Sequence, residues 1–300
     1  MERVAENVYV ETGYAGCNPG FVVTSKGVVM IDTPWLPRDV AGWREEIAKK
    51  GEVRYIINTE YHVDHISGNY YFPGIVVSHA GIRRKFHAPV EELAAPDVKE
   101  DAVTCCKGMR DYILYNFRKE DPESLPLVEN YEIRPPEIAF TERLDLYVGE
   151  EVIELLWLPG HTPYQVGVYL PRQKILFTGD NVTNGLQPSQ AHCCPLAWVN
   201  SMRKILNMDV EIVVPGHGEI GDKKMVEKIS DFLQRCITDV NKAIAEGMSK
   251  EATAASLSFD YEGFAPTHPG AKQQHGNVTH LYEMLSGEKK EGDDWYGQRI

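Results

Sequence analysis

Hydrophobic and polar positions along the chain follow two periods, and the chain changes from one to the other several times. Val8–Val10, Phe21–Thr24 and Val28–Asp32 are β-branched runs. They are separated by Asn18-Pro19-Gly20 and Ser25-Lys26-Gly27, so residues 7–32 read as a strand meander. Residues 38–50 carry Val40, Trp43 and Ile47 at helical spacing and stop at Gly51, which predicts an amphipathic helix. Val53–Asn58 and Ile75–Ser78 are the next strands, and Ser67, Gly68 and Asn69 between them read as a turn into a helix.

Residues 80–135 depart from this pattern. They are charged, carry little strand signal, and predict a helix over Asp101 to Arg118, with a loop at Asp121–Pro126. The expected role is a helical insert packed on the core, which either roofs an active site or makes a subunit contact in a homo-oligomer. Strands return as two hairpins, Arg143–Val148 with Val152–Leu158, and Val166–Leu170 with Lys174–Phe177. Trp198–Met208 reads as a helix, Glu211–Val214 as the last strand, and residues 221–246 as a long helix. Shorter helices are expected near Ser249 and over Asn277–Leu285, then a polar tail in which Trp295 and Tyr296 could dock. The class is α/β (α+β), with helices covering the outer faces of sheets. One catalytic domain is expected over residues 1–247, including the insert at about 80–135, with a C-terminal helical extension over 248–300 packing on it.

Composition narrows the function. The hydrophobic share of 43 % is ordinary for a globular protein, and no apolar run reaches the length of a membrane span. A net charge of -13 repels phosphate backbones, so a small-molecule substrate is expected rather than nucleic acid or membrane. The start, Met-Glu-Arg-Val-Ala-Glu-Asn, lacks the basic and apolar regions of a signal peptide. Six cysteines include the adjacent pairs Cys105-Cys106 and Cys193-Cys194 and show no disulfide framework. Reduced thiols in a cytoplasm are the expectation.

The densest chemistry lies just after the strand ending at Asn58. Glu60, His62, Asp64 and His65 fall within six residues, on a loop where side chains can diverge toward two metal ions. A polar surface loop would explain this cluster taken alone. Further along come Leu158-Pro159-Gly160-His161-Thr162-Pro163, Phe177-Thr178-Gly179-Asp180 and Val214-Pro215-Gly216-His217-Gly218, each at a strand end with a glycine that permits a tight turn.

The stretch from Asn58 to Asn69, NTEYHVDHISGN, resembles the signature loop of the metallo-β-lactamase-fold superfamily, whose usual form is His-x-His-x-Asp-His. The three downstream motifs follow in that superfamily's order, and the resemblance covers about residues 5 to 220. It implies an αββα four-layer sandwich and a two-metal site. His62 and His161 would hold one ion, Asp64, His65 and His217 the other, and Asp180 would bridge them, with Asp32 beneath as a supporting carboxylate. Zinc is the first choice, with iron or manganese as alternatives.

Glu60 departs from the family pattern, because a histidine is usual there. It either replaces that histidine as a ligand, turns away and leaves a mononuclear site, or marks a site that binds without turnover. Ligation is favoured, since the other ligands are intact and a glutamate can reach a similar position. A water on two dications becomes a hydroxide nucleophile near neutral pH, with Asp64 both ligating and orienting it. Tyr164 and His192 are candidates for the substrate cleft.

The function expected is a metal-dependent hydrolase acting on a small ester, thioester, lactone or amide. A diiron oxidoreductase acting on dioxygen or a sulfur species is the alternative from another class; no flavodoxin-like or rubredoxin-like segment accompanies it. A β-lactamase-like amide hydrolase is a further alternative, set back by the lack of an export signal.

Overall fold

Chain order and spatial order run together through both sheets of the computed structural model, which describes residues 1–94, 99–259, 263–265 and 271–290. β1 (Glu2–Ala5), β2 (Val8–Val10), β3 (Gly20–Thr24), β4 (Gly27–Ile31), β5 (Val53–Ile57), β6 (Ile75–His79) and β7 (Ile138–Phe140) form a seven-stranded sheet in that order. The first four pair antiparallel, and β4 to β7 run parallel. β8 (Arg143–Val148), β9 (Glu151–Trp157), β10 (Val166–Leu170), β11 (Ile175–Phe177) and β12 (Ile212–Val214) form a five-stranded sheet, antiparallel except for β11 with β12.

Parallel neighbours need crossovers, and helices supply them. α1 (Pro37–Ala48) links β4 to β5, and α2 (Val63–Ile66) lies between β5 and β6. α3 (Ala80–Lys85), α4 (Lys99–Cys105) and α5 (Met109–Glu120) precede β7, and α6 (Pro195–Leu206) precedes β12. α7 (Lys223–Ala245), α8 (Lys250–Ser256) and α9 (Ala271–Ser286) close the chain.

The apolar runs of the strands follow from burial on both faces. In β4, Val29 and Ile31 face the partner sheet, while Val28 and Met30 face α1. Val40, Trp43 and Ile47 of α1 cover that outer face, and the Trp43 ring meets Phe21 edge-on at 5.2 Å. Leu156, Leu176 and Val213 of the second sheet pack under α6 and α7. Ala254 of α8 and Val278 and Leu281 of α9 belong to the same apolar cluster, so these helices extend the core beneath the second sheet. The result is an αββα sandwich of the α/β (α+β) class, as the motifs imply.

Several boundaries differ from the sequence reading. β1 and β7 are additional: β1 is mostly polar and β7 is only three residues long, so neither carries a strong period. The helix expected from Ser67 begins earlier, at Val63 inside the metal-binding loop, and continues as a 3-10 turn over Ser67–Tyr71. The single helix expected over Asp101 to Arg118 is two helices, α4 and α5, broken at Gly108, whose extended backbone lets Cys106 and Met109 both enter the insert's core. The loop expected at Asp121–Pro126 is part of a 3-10 helix over Pro122–Val128. Asp121 ahead of it accepts the Arg38 backbone N–H at 3.1 Å, capping α1 from the insert, because the residue at that helix's own N-cap, Leu36, makes no side-chain cap. Trp295 and Tyr296 lie outside the described residues.

The insert docks on the loop that follows β5. Tyr131 is buried and donates its hydroxyl to the Ser67 carbonyl at 2.9 Å, and Tyr61 of the loop belongs to the insert's apolar cluster. His79 anchors the start of α3. Its Nδ1 accepts the Gly81 N–H at 3.0 Å and its Nε2 donates to the Thr141 carbonyl at 2.8 Å, a pattern that requires neutral imidazole. Burial pushes this imidazole down from 6.5 to about 4.

Two outcomes are expected. Trp43→Ala removes a fully buried indole and should cost about 3–5 kcal/mol in urea unfolding; a loss well under ~1 kcal/mol would mean that α1 does not seal the sheet. For His79, the unfolded chain takes up a proton near pH 6.5 that the folded chain refuses until about pH 4. The associated stability is therefore whole above pH 6.5 and declines on acidification, by on the order of 3 kcal/mol at most. Unfolding measured from pH 7.5 to 4.5 should show a shallower pH slope for His79→Gln than for the wild type; equal slopes would refute this.

Candidate metal centre

The ligand-type side chains follow the C-terminal ends of strands that meet at one edge of the sandwich. Glu60 to His65 follow β5, His161 follows β9, Asp180 follows β11, His217 follows β12, and Asp32 follows β4. Loops at one edge of a rigid sandwich can converge without bending the strands.

The loop after β5 is fixed from within. Asn58 and Asn69 are buried and bond each other side chain to side chain, at 2.8 and 3.1 Å, which clamps the two ends of the loop. Asp32 supports its middle. One carboxylate oxygen accepts the Thr59 N–H at 2.7 Å; the other accepts the Thr59 hydroxyl at 2.6 Å and the His65 Nδ1–H at 2.9 Å. Asp32 adopts a φ of 53°, a left-handed conformation that aspartate tolerates better than most residues. Asn18 and Asn181 hold the other loops. Asn18 donates to the Pro215 and Gly218 carbonyls at 3.0 and 2.7 Å, and Asn181 accepts the His161 N–H at 2.8 Å. Gly216 has no alternative: a Cβ there would overlap Asp180 Oδ1.

Two groups of side chains result. In the first, Glu60, His62 and His161 bring ligand atoms within 4.8 Å of one another; in the second, Asp64, His65 and His217 do so. His62 Nδ1 lies 3.1 Å from His161 Nε2 and touches Glu60 Oε2. His217 Nε2 lies 3.2 Å from Asp64 Oδ2 and 3.2 Å from Asp180 Oδ2. Asp180 stands between the groups, with Oδ1 3.2 Å from His65 Nε2 and Oδ2 3.7 Å from His161 Nε2.

These residues fit divalent cations. A carbonyl only accepts, so His161 Nδ1 donates to the Ser189 carbonyl at 2.9 Å, and neutral His161 turns its Nε2 lone pair to His62. His65 likewise spends Nδ1–H on Asp32 and turns its Nε2 lone pair inward. His62 faces the cluster through Nδ1, with its Nε2 3.1 Å from His192 Nδ1. Orienting partners of this kind are what metal-binding histidines require. Glu60 Oε1, Glu60 Oε2, His65 Nε2 and Asp180 Oδ1 are buried and meet only one another and the neighbouring imidazoles. Carboxylate oxygens and imidazole nitrogens crowded into one space closed to water are costly unless a cation fills it.

Electrostatics agree. Burial alone would lower the affinity of His217 for a proton, yet Asp180 and Asp64 raise it to about 10, which measures how strongly the carboxylates call for positive charge. Burial disfavours the charge on Glu60, but the imidazoles of His62, His161 and His65 hold the carboxyl below its usual range.

Cys17 also approaches Asp32 and His65 closely enough to suggest a metal group. Its buried thiol is pushed up to about 12 and lies 3.5 Å from the Thr33 carbonyl, so it stays protonated beneath the site. Of the two cleft candidates, His192 is brought to the site through His62. Tyr164 is placed elsewhere, buried in the insert's apolar cluster and stacked on His79 with centroids 5.4 Å apart. Asn18, Asn58, Asn69 and Asn181 escaped the sequence reading; their only signal there is an amide beside each metal-binding motif or its neighbouring loop.

The family model described as "Metallo-beta-lactamase superfamily" matches residues 12–217, and the chain belongs to that superfamily. It is a metal-binding enzyme of the hydrolase class. Metallo-beta-lactamase type 2 from Elizabethkingia meningoseptica is 24 % identical over 248 residues, covering 78 % of this chain and 84 % of that protein. A metallo-beta-lactamase family protein of Thermus thermophilus has a similar structure, with a TM-score of 0.65 at 16 % identity, covering 95 % of each chain. The stereoselective inverting sec-alkylsulfatase of Pseudomonas sp. superposes with a TM-score of 0.66 at 15 % identity, covering 99 % of this chain and 52 % of that one. No helix among the described residues is long and apolar enough to cross a membrane.

Asp32→Asn tests the support beneath the site. Its amide tolerates the left-handed backbone but can donate to His65 Nδ1, which would move the imidazole proton to the inward nitrogen. Metal affinity by chelator competition should fall about 10–100-fold; unchanged affinity would show that Asp32 does not orient His65.

Proposed function

We propose that this chain is a two-metal hydrolase of small molecules, with Glu60, His62 and His161 holding one ion, Asp64, His65 and His217 the other, and Asp180 shared. The observation that carries this reading is the convergence of buried ligand atoms from Glu60, His65 and Asp180, which meet only one another and the site's imidazoles, between two histidine groups. Zinc is the first choice, since four imidazoles suit it; three carboxylates keep iron and manganese in contention. When bound, such ions supply a hydroxide nucleophile at neutral pH and polarise the oxygen under attack.

The chain's own residues do the rest. Asp64 stays ionised, because His65 and His217 outweigh the effect of burial. Its carboxylate both closes the second ligand group and is placed to accept a hydrogen bond from the attacking water. His192, with Nδ1 3.1 Å from His62 Nε2, steadies the orientation in which His62 turns Nδ1 to the cluster. The insert, docked through Tyr61 and Tyr131, steadies the loop that carries Glu60 to His65. The substrate class proposed is a small ester, thioester, lactone or amide.

Metal analysis of protein purified without added metal is the test, joined to turnover of a panel of esters, thioesters, lactones, β-lactams and alkyl sulfates. Two equivalents of zinc are expected. Turnover of an acyl substrate should be lost to a chelator, restored by zinc, and reduced at least ~10²-fold in kcat/KM by Asp64→Asn. Two equivalents of iron with oxygen consumption would replace the hydrolase by an oxidoreductase, and turnover confined to alkyl sulfates would refute the acyl class.

A further inference from the structure

The glutamate at position 60 has a property that a histidine there would lack: its two inward-facing oxygens address different ligand groups. Oε2 touches His62 Nδ1 and lies 3.8 Å from His161 Nε2, both in the first group. Oε1 lies 3.6 Å from His65 Nε2, in the second. Glu60 accordingly belongs to two sets of converging ligand atoms, one with His62 and His161 and one with His65 and Asp180. Its side chain is fully buried, and its oxygens meet only imidazole nitrogens and carboxylates of the site. Asp180 also reaches both groups, but through one oxygen: Oδ2 faces His161 and His217, while Oδ1 faces His65.

We infer that Glu60 is a second bridging carboxylate, giving one oxygen to each metal position, so that two carboxylates rather than one tie the two ions together. This deepens the two-metal reading and rests on it. A neutral imidazole offers a single lone pair and can serve one ion only. A carboxylate offers lone pairs on two oxygens and screens the repulsion between two dications. The first and second ions are then held as a pair: removing Glu60 weakens the ion bound by Asp64, His65 and His217, although none of those three ligands has changed.

The test reads metal positions and affinities, not turnover. Wild-type crystals loaded with zinc are measured by anomalous diffraction at the zinc edge, and zinc binding to wild type, Glu60→His and Glu60→Gln is titrated against a chromophoric chelator. Two ions are expected in the wild type, each with one Glu60 oxygen at about 2.0–2.2 Å. In Glu60→His, the ion at Asp64, His65 and His217 should bind about 10-fold or more weakly, and the two ions should load in separate steps. Two ions with both Glu60 oxygens on one of them, or with one oxygen unligated, would overturn the bridge and leave the two-metal hydrolase standing. A single ion in the wild type would overturn both. The wild-type crystals decide the matter even if a variant does not fold.

Discussion

Negative charge confined where water barely reaches is the constraint around which the molecule is built. Glu60 is fully buried, and the Asp180 and Asp64 side chains keep 13 % and 20 % of their exposure. Asp32 lies beneath them, also buried. An unpaired buried carboxylate costs several kcal/mol, and no lysine or arginine ion pair is found at these four among the described residues. Imidazoles are the immediate neighbours, and three of them spend one nitrogen on an outward partner: Asp32, the Ser189 carbonyl or His192. What remains facing inward is lone pairs and carboxylate oxygens. Cations complete the site, so metal binding and the stability of this edge of the sandwich are linked.

The fold answers that constraint by geometry. Strands of both sheets end at the same edge, and each ligand is a few residues past such an end. Four buried amides keep the loops from relaxing away from one another: Asn58 with Asn69 across the first loop, Asn18 beneath His217, and Asn181 between His161 and Asp180. The close approach of Asp180 to Gly216 shows how little slack is left, since one methyl group would displace the carboxylate. Rigid strands, short loops and internal amide clamps position the ligands before any ion arrives, and that lowers the cost of binding.

Much of this was legible in the sequence because strand periodicity and motif order are local signals. The run at Val28–Ile31 is apolar on both faces, and burial on both faces is what the structure shows; Val53–Ile57 is interrupted by Arg54, which is exposed. The convergence of Glu60, His62, Asp64, His65, His161, Asp180 and His217 was legible because four short motifs, each at a strand end, keep a familiar order. The break at Gly108 and the 3-10 turn at Pro122–Val128 were not, because insert helices are set by packing against α1 and the metal-binding loop rather than by propensity. Tyr164 shows the same limit from the other side. Its position beside His161 suggested the cleft, but the turn that aims His161 inward sends Tyr164 onto His79. The asparagine clamps were invisible for a different reason: an amide in a loop looks the same whether it faces solvent or joins two loops.

In the proposed two-metal centre, Glu60 would also set the charge. With a histidine at that position, two dications would meet two carboxylates and keep two net positive charges. With Glu60 they would meet three, and one positive charge would remain, which a single hydroxide would cancel. A site neutral in its working state is easier to bury than a charged one, and the side chains around it here are largely closed to water. The same extra oxygen donor weakens each ion as a Lewis acid and moves the ligand set toward harder metals. In the proposed bridge the chain would trade electrophilic strength for a more tightly paired centre, and the burial of Glu60 and His65 would offset part of the loss, because electrostatic interactions are stronger where water is scarce.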